Sequence, residues 1–197
     1  MSTPAAVAAA CEAVVRLLRA SFRAADFGGA ALDFQAYLAE DFAHPMDQGV
    51  SLFVFRVQRS GAIRQPRGRT LPDGRVQRPR LPLDLHVLLT VWAKKASLQH
   101  EILGWMLRVL EDHPALTPEI LNAFRPGVFA PGDSVEVVPT ELTVEETVRI
   151  WEVIAGQSYV LSVPFVLRTV YVESTIADAQ GPVQERAFDV RQLEAAP

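Results

Sequence analysis

The twelve residues Leu81–Trp92, LPLDLHVLLTVW, alternate with the two-residue period of a β-strand. One face is wholly apolar: Leu81, Leu83, Leu85, Val87, Leu89 and Val91. The other is mixed: Pro82, Asp84, His86, Leu88, Thr90 and Trp92. A strand with one dry face and one mixed face lies within a sheet that helices cover. The chain must therefore supply partner strands on both sides of this one and helices to lay over it.

It does so in an order that predicts the fold class. The spacing of Val7, Cys11, Val14, Leu18 and Phe22 predicts a first helix, with Thr3 as its cap, Pro4 at its first position and DFGG as its stop. LDFQAYLAE is open between a short strand and a helical turn, HPMDQG is a turn, and VSLFVFRVQ is a strand. After Leu81–Trp92, SLQHEILGWMLRVLEDHP predicts a helix capped by Ser97 and stopped at His113-Pro114. The breadth of its apolar surface predicts burial between layers. LTPEILNAF is a short helix capped by Thr117, and SVEVVP is a strand. TVEETVRIWEVIAG is a helix with a Thr143/Glu146 capping box, ending at Gly156. YVLSVPFVLRTVYVES is a long strand, in which Pro164 predicts an edge or a bulge. The expectation is a single α+β domain, with a mainly antiparallel sheet covered by helices, over residues 1–173. Residues 174–197 are polar and weakly patterned and read as a C-terminal arm. A length of 197 residues suits one domain with extensions.

Charge is segregated along the chain. The net value is −4, yet residues 56–80 hold eight arginines (Arg56, Arg59, Arg64, Arg67, Arg69, Arg75, Arg78 and Arg80) against Asp73, a local +7. The remainder carries eleven basic and twenty-two acidic residues, −11. Most of the arginines lie in RSGAIRQPRGRTLPDGRVQRPR, residues 59–80, which Gly and Pro punctuate as a loop or hairpin extension. A positive arm on a negative body suits attraction between copies or an acidic partner. Arg64, Arg67, Arg69, Arg75, Arg78 and Arg80 are the candidate interface residues, because arginine is favoured at interfaces and pairs bidentately with carboxylates. Nucleic acid is the weaker reading: the arm has no aromatic residue on which bases could stack.

Catalytic signatures are sparse. Four histidines and one cysteine show no metal-ligand spacing. There is no phosphate-binding glycine loop and no GxSxG elbow. Asp84 and His86 share a strand face about 7 Å apart and could form a carboxylate–histidine pair, but no nucleophile lies near them in sequence, so hydrogen bonding within the fold is the preferred reading. Cys11 falls on the first helix's apolar stripe as a packing residue and, being single, allows no internal disulfide. With no apolar run near the ~18 residues of a spanning helix and no signal-peptide pattern, the chain is expected to be made and kept in the cytoplasm, with no cofactor, metal or membrane partner.

Several of these segments together resemble one family. VVRLLR, SLFVFRV, RPRLPLDLHVLLTVWA, LEDHPALTPEIL and SYVLSVPFVLRTVYVE are similar to the cap, or tail-terminator, proteins of phage-tail-like contractile injection systems; PLDLHVLLT followed by DHPALT is the most specific part. The resemblance covers about residues 5–173. It implies a structural, non-enzymatic role as a ring, of six copies, at the distal end of the particle, where the protein meets sheath and inner tube and ends their growth. It places the protein in the cytoplasm, assembled on the particle, and leaves open whether that particle acts inside its maker or after release. On that reading the arginine arm grips a neighbour. The alternatives are a nucleic-acid-binding adaptor using the arm, or a small hydrolase around Asp84 and His86.

Overall fold

The computed structural model describes residues 4–61, 68–71, 73–154 and 159–178. In chain order the elements are helix α1 (Ala6–Ser21), strands β1 (Asp33–Tyr37), β2 (Gly49–Arg59), β3 (Arg69–Thr70), β4 (Val76–Gln77) and β5 (Leu81–Trp92), helix α2 (Ala96–Asp112), β6 (Ala115–Leu116), α3 (Pro118–Leu121), β7 (Val135–Pro139), α4 (Val144–Ile154), β8 (Ser162–Val172) and β9 (Ala177–Asp178). Six strands form the main sheet in the order β1-β2-β5-β8-β7-β6, and β3-β4-β9 form a small second sheet. Every pairing in the main sheet is antiparallel except β1 with β2. The α+β expectation holds.

The alternation in Leu81–Trp92 has a fuller consequence than one dry face. Leu85, Val87, Leu89 and Val91 enter the main core beneath α1 and α2. On the opposite face, Leu88 and Trp92 join Tyr37, Phe42 and Trp151 in a second cluster, beneath α4 and the 3-10 turn Ala39–Ala43. Full burial of each such side chain is favourable by ~1.5–3 kcal/mol, so β5 anchors both layers. Aromatic rings finish each side. Phe22, Phe27 and Phe34 pack around Trp105 with centroids 5.7–6.2 Å away. Phe42 meets Tyr37, Phe53 and Trp151 edge-on at 5.3–5.6 Å. Two polar pairs lie on the mixed face: Trp92 Nε1 donates to Ser51 Oγ at 2.8 Å, and the Thr90 and Ser162 hydroxyls lie 3.0 Å apart.

The ambiguous segment LDFQAYLAE is both things it could have been. Residues 33–37 pair with β2, and residues 39–43 form the 3-10 turn. Because β1 runs parallel to β2, the chain must cross over between them, and that turn lies in the crossover. The crossover closes tightly at Gly49, whose φ is +144°; a Cβ there would sit 1.9 Å from the Asp33 carbonyl oxygen.

Four expectations need correction. Helix α1 runs from Ala6 to Ser21 with Ala5, not Thr3, as its N-cap and Pro4 ahead of its first position, and DFGG instead closes a separate 3-10 turn, Ala24–Phe27, with Gly28 in the left-handed conformation. Lys95, not Ser97, is the N-cap of α2, and no side chain caps that end. The breadth of α2 does not bury it between layers: Ile102, Met106, Val109 and Leu110 are buried, while Leu107 is exposed. Strand β8 is not an edge. It lies between β5 and β7, and Pro164 sits one residue past the last β7 pair, Pro139–Phe165, where its missing N–H interrupts no β7 bond. Gly156, expected as a stop, lies outside the described residues.

Candidate functional site

Asp84 turns out to hold the sheet together at a bulge. Leu83 pairs with Val170 and Leu85 with Leu167, so Arg168 and Thr169 together face Asp84. Thr169 takes a φ of +62°, rare for a β-branched residue. The freed Thr169 N–H donates to Asp84 Oδ1 at 3.0 Å. The carboxylate thus replaces the ladder acceptor the bulge removes. His86 lies further along the same strand, against the Phe55 ring at 6.0 Å, with its Nε2 buried and without a hydrogen-bond partner. Burial and the neighbouring Arg56 push its pKa below the usual histidine value, and Asp84 only partly opposes them. An acid orienting a base would need its oxygen on the ring; here Asp84 serves the backbone. Among the described residues no His, Cys, Asp and Glu group could hold a metal. Burial pushes the Cys11 thiol up to about 12, as for a packing residue.

This assignment predicts a stability effect. Asp84→Ala should cost ~1–3 kcal/mol, the cost of a buried donor left unsatisfied, read as a melting temperature lower by roughly 2–10 °C. Thr169→Gly in the same background should recover part of it, because glycine tolerates positive φ. A melting temperature unchanged by Asp84→Ala would remove the bulge-clamping role.

The arginine-rich extension is a built structure at its base. β3 pairs with β4, and the turn between them closes through Leu71 N–H to Arg75 O at 2.8 Å and Gly74 N–H to Leu71 O at 3.0 Å. Gly68 lets the backbones meet: a Cβ there would lie 1.4 Å from the Gln77 carbonyl oxygen. β9 then adds to β4, so residues 177–178 of the expected C-terminal arm pair with the extension. The Arg78 N–H donates to Ile176 O at 3.2 Å, and the Gln77 side chain to Ser174 O at 2.5 Å. The rest of that arm, residues 179–197, lies outside the described residues.

The six candidate arginines are in different situations. Arg64 and Arg67 lie outside the described residues, and only the backbone of Arg69 is described. Arg75 is exposed and pairs with Asp73 at 2.7 Å inside its own turn. Arg78 is exposed and directly follows β4. Arg80 is committed within its own subunit. Its guanidinium reaches Asp133 at 2.6 Å and Glu173 at 3.3 Å, and covers the Tyr171 ring at 4.1 Å. Arg80 therefore fixes the root of the extension to the body, and the outward charge lies beyond it.

A second surface was not anticipated. The capping box of α4 forms as expected, with Thr143 N–H donating to Glu146 Oε2 at 2.9 Å and Glu146 N–H to Thr143 Oγ1 at 3.2 Å. Trp151 is its buried anchor. The helix also carries valines away from that anchor: Val144 is 81% and Val153 82% exposed. Between α4 and β2 runs an open groove of about 400 Å³, lined by Phe53, Phe55, Ile150 and Val153 together with Arg56, Glu146 and Arg149. A sign was present in the sequence, since Val153 falls on the face of TVEETVRIWEVI opposite Trp151.

Comparison with known proteins supplies the context for these surfaces. A family model described as the Pvc16 N-terminal domain matches residues 9–186. Among solved structures, the sheath/tube terminator of PVC, an extracellular contractile injection system, in its extended state, aligns with a TM-score of 0.61 at 20% identity over 94% of this chain. The anti-feeding prophage cap, a tube-terminating cap, aligns with a TM-score of 0.62 at 17% identity over 91%. The chain spans 63% and 59% of the lengths of those two chains. At such identities the likeness is one of fold. No curated protein sequence matches.

Proposed function

The chain belongs to the Pvc16 N-terminal domain family, and from that premise we propose that it is a terminator, a structural cap that ends growth of the inner tube and outer sheath of a contractile injection particle. The observation that carries this reading is the agreement of its fold, across more than nine-tenths of its length, with two proteins named as terminators. The chain acts as a ring, of six copies, and its role involves no catalytic step. The opposite charges of the extension and the rest of the chain, +7 and −11, suit a head-to-tail contact that closes on itself. The arginines beyond Arg80 make that contact with carboxylates of a neighbour, while the body seats on the last layer of tube and sheath. The particle is assembled in the cytoplasm and acts after release.

Two measurements test this. Native mass spectrometry at low salt, alone and with purified sheath, should show a closed oligomer of six chains. Electron microscopy of particles carrying a tagged copy should place the tag at one end only. A strict monomer in both mass measurements would remove the ring. A tag scattered along the sheath, or absent from the particle, would remove the terminator reading.

A further inference from the structure

The second hydrophobic cluster, on the mixed face of the sheet, has an incomplete cover. Helix α4 lies over it and buries one side chain of its eleven residues fully, Trp151. On the other face α1 buries nine of sixteen and α2 four of seventeen. Apolar burial is what docks a helix of this length, so α4 is the most weakly held of the three. Its fit is also loose. Ile150 and Ile154 are only half-buried, and Val144, Val148 and Val153 stay exposed while the helix is seated. The groove of about 400 Å³ parts it from β2, where a close-packed core would leave no such space. Two polar atoms are buried where α4 meets the sheet, Trp151 Nε1 and His86 Nε2, and neither has a hydrogen-bond partner. The His86 ring lies against Phe55, which lines the same groove. Each orphan carries the cost of an unmade bond while α4 is down, and water removes that cost once the helix lifts.

We propose that α4 is a displaceable cover, which lifts from the sheet while the rest of the fold stays closed. Openings of this kind belong to the elements with the least buried apolar surface. The polar bonds of the helix do not hold it down. Thr143 and Glu146 bond to each other, and Arg149 pairs with Glu145 one turn away. Between the helix and β2, Arg56 attracts Glu146 at a distance, the least of the influences on that carboxylate. The Thr140 N–H donates to Pro164 O at 3.1 Å, so the chain is tied to the body up to that residue and free to pivot after it. Lifting uncovers a floor that includes Phe42, Leu88 and Trp92, and aromatic surface of this kind is what protein contacts favour. The device is a property of the free chain and stands independently of the terminator reading.

The test uses two neighbours on one strand of the full chain. Leu88 and Leu89 are 1% and 0% exposed, but Leu88 faces the cluster under α4 and Leu89 the core under α1 and α2. Leu88→Cys and Leu89→Cys are made separately and treated with a thiol reagent under native conditions. The buried Cys11 is the internal reference in both. If α4 lifts, Leu88→Cys is labelled at least about tenfold faster than Leu89→Cys. Equal rates mean that only global unfolding reaches either thiol, and overturn the proposal. Hydrogen exchange on the unsubstituted chain provides a readout free of any packing defect. The amides of residues 148–154 should exchange at least about a hundredfold faster than those of residues 10–21, and faster than those of α2. Exchange in α4 as slow as in α2 overturns the proposal, whatever the labelling shows, because some other element would then be the one that opens.

Discussion

Particles assembled without this protein should form on competent baseplates but end raggedly, with uncapped tips and a broad distribution of lengths. The reason lies in the symmetry of a polymer. Each completed layer of tube and sheath presents the surface on which the next layer assembles, so nothing in the repeat itself stops growth. A terminator must match that surface on one side and offer a different one on the other. This chain has a body suited to that task. Strand β5 is buried on both faces, which gives a stiff slab, and the family fold matches two terminators along nearly the whole chain. Electron microscopy of particles from a deletion strain should show loss of the end density and a length distribution several times broader than wild type. Supplying the wild-type gene should restore both. Particles of normal length and normal ends in the deletion strain would sink the proposal.

Much of this molecule is legible from its sequence because long strands and helices carry their own periods. Leu81–Trp92 declared a buried strand, and its position near the middle of the sheet follows from burial on two faces. Thr143 and Glu146 announced the start of α4 through a reciprocal bond that needs no tertiary context. Failures came where a local signal had more than one structural solution. Pro164 signalled a missing donor, and an edge is the common way to tolerate one; placing it just past the end of a shorter neighbouring strand is another. Asp84 was rightly read as a hydrogen-bonding residue within the fold, but its partner was out of reach, because a pattern of period two cannot show that a bulge opposite would claim the carboxylate. Likewise the parallel pairing of β1 depends on a crossover that no local signal encodes. The candidate site divides the same way. The arginine charge was visible in composition, whereas the pairing of Arg80 with Asp133 and Glu173 brings together residues 53 and 93 positions apart.

That division sharpens the last prediction, which concerns the arm itself. Replacing Arg64, Arg67, Arg69 and Arg75 with Glu changes residues 56–80 from +7 to −1. The domain should stay folded, because both hydrophobic clusters are built from other residues. The one mapped loss, the Arg75–Asp73 pair, joins two side chains about half exposed, and such pairs contribute little to stability. Arg80 is left intact, since removing it would strand Asp133, a carboxylate only 7% exposed, beside its own turn. Association between copies, or with sheath, should fall by at least about tenfold. Each exposed pair contributes only ~0.2–1 kcal/mol, but four are lost together and become repulsive, and ~1.4 kcal/mol already corresponds to tenfold. The wild-type contact should also weaken as salt rises above ~0.1 M, where the screening length is about 10 Å, whereas the variant's residual contact should respond weakly or improve. Circular dichroism checks the fold, and native mass spectrometry with sheath checks the contact. A variant that is folded and assembles like wild type would reduce the extension to a solvated loop. A variant that assembles normally but loses salt-sensitive binding to DNA would move the arm to the nucleic-acid reading. Lys in place of the same four arginines separates charge from geometry: it keeps the long-range attraction but loses the planar, bidentate pairing with carboxylates. Partial recovery with lysine would therefore show that the arm works first by its field and then by its fork-shaped bonds.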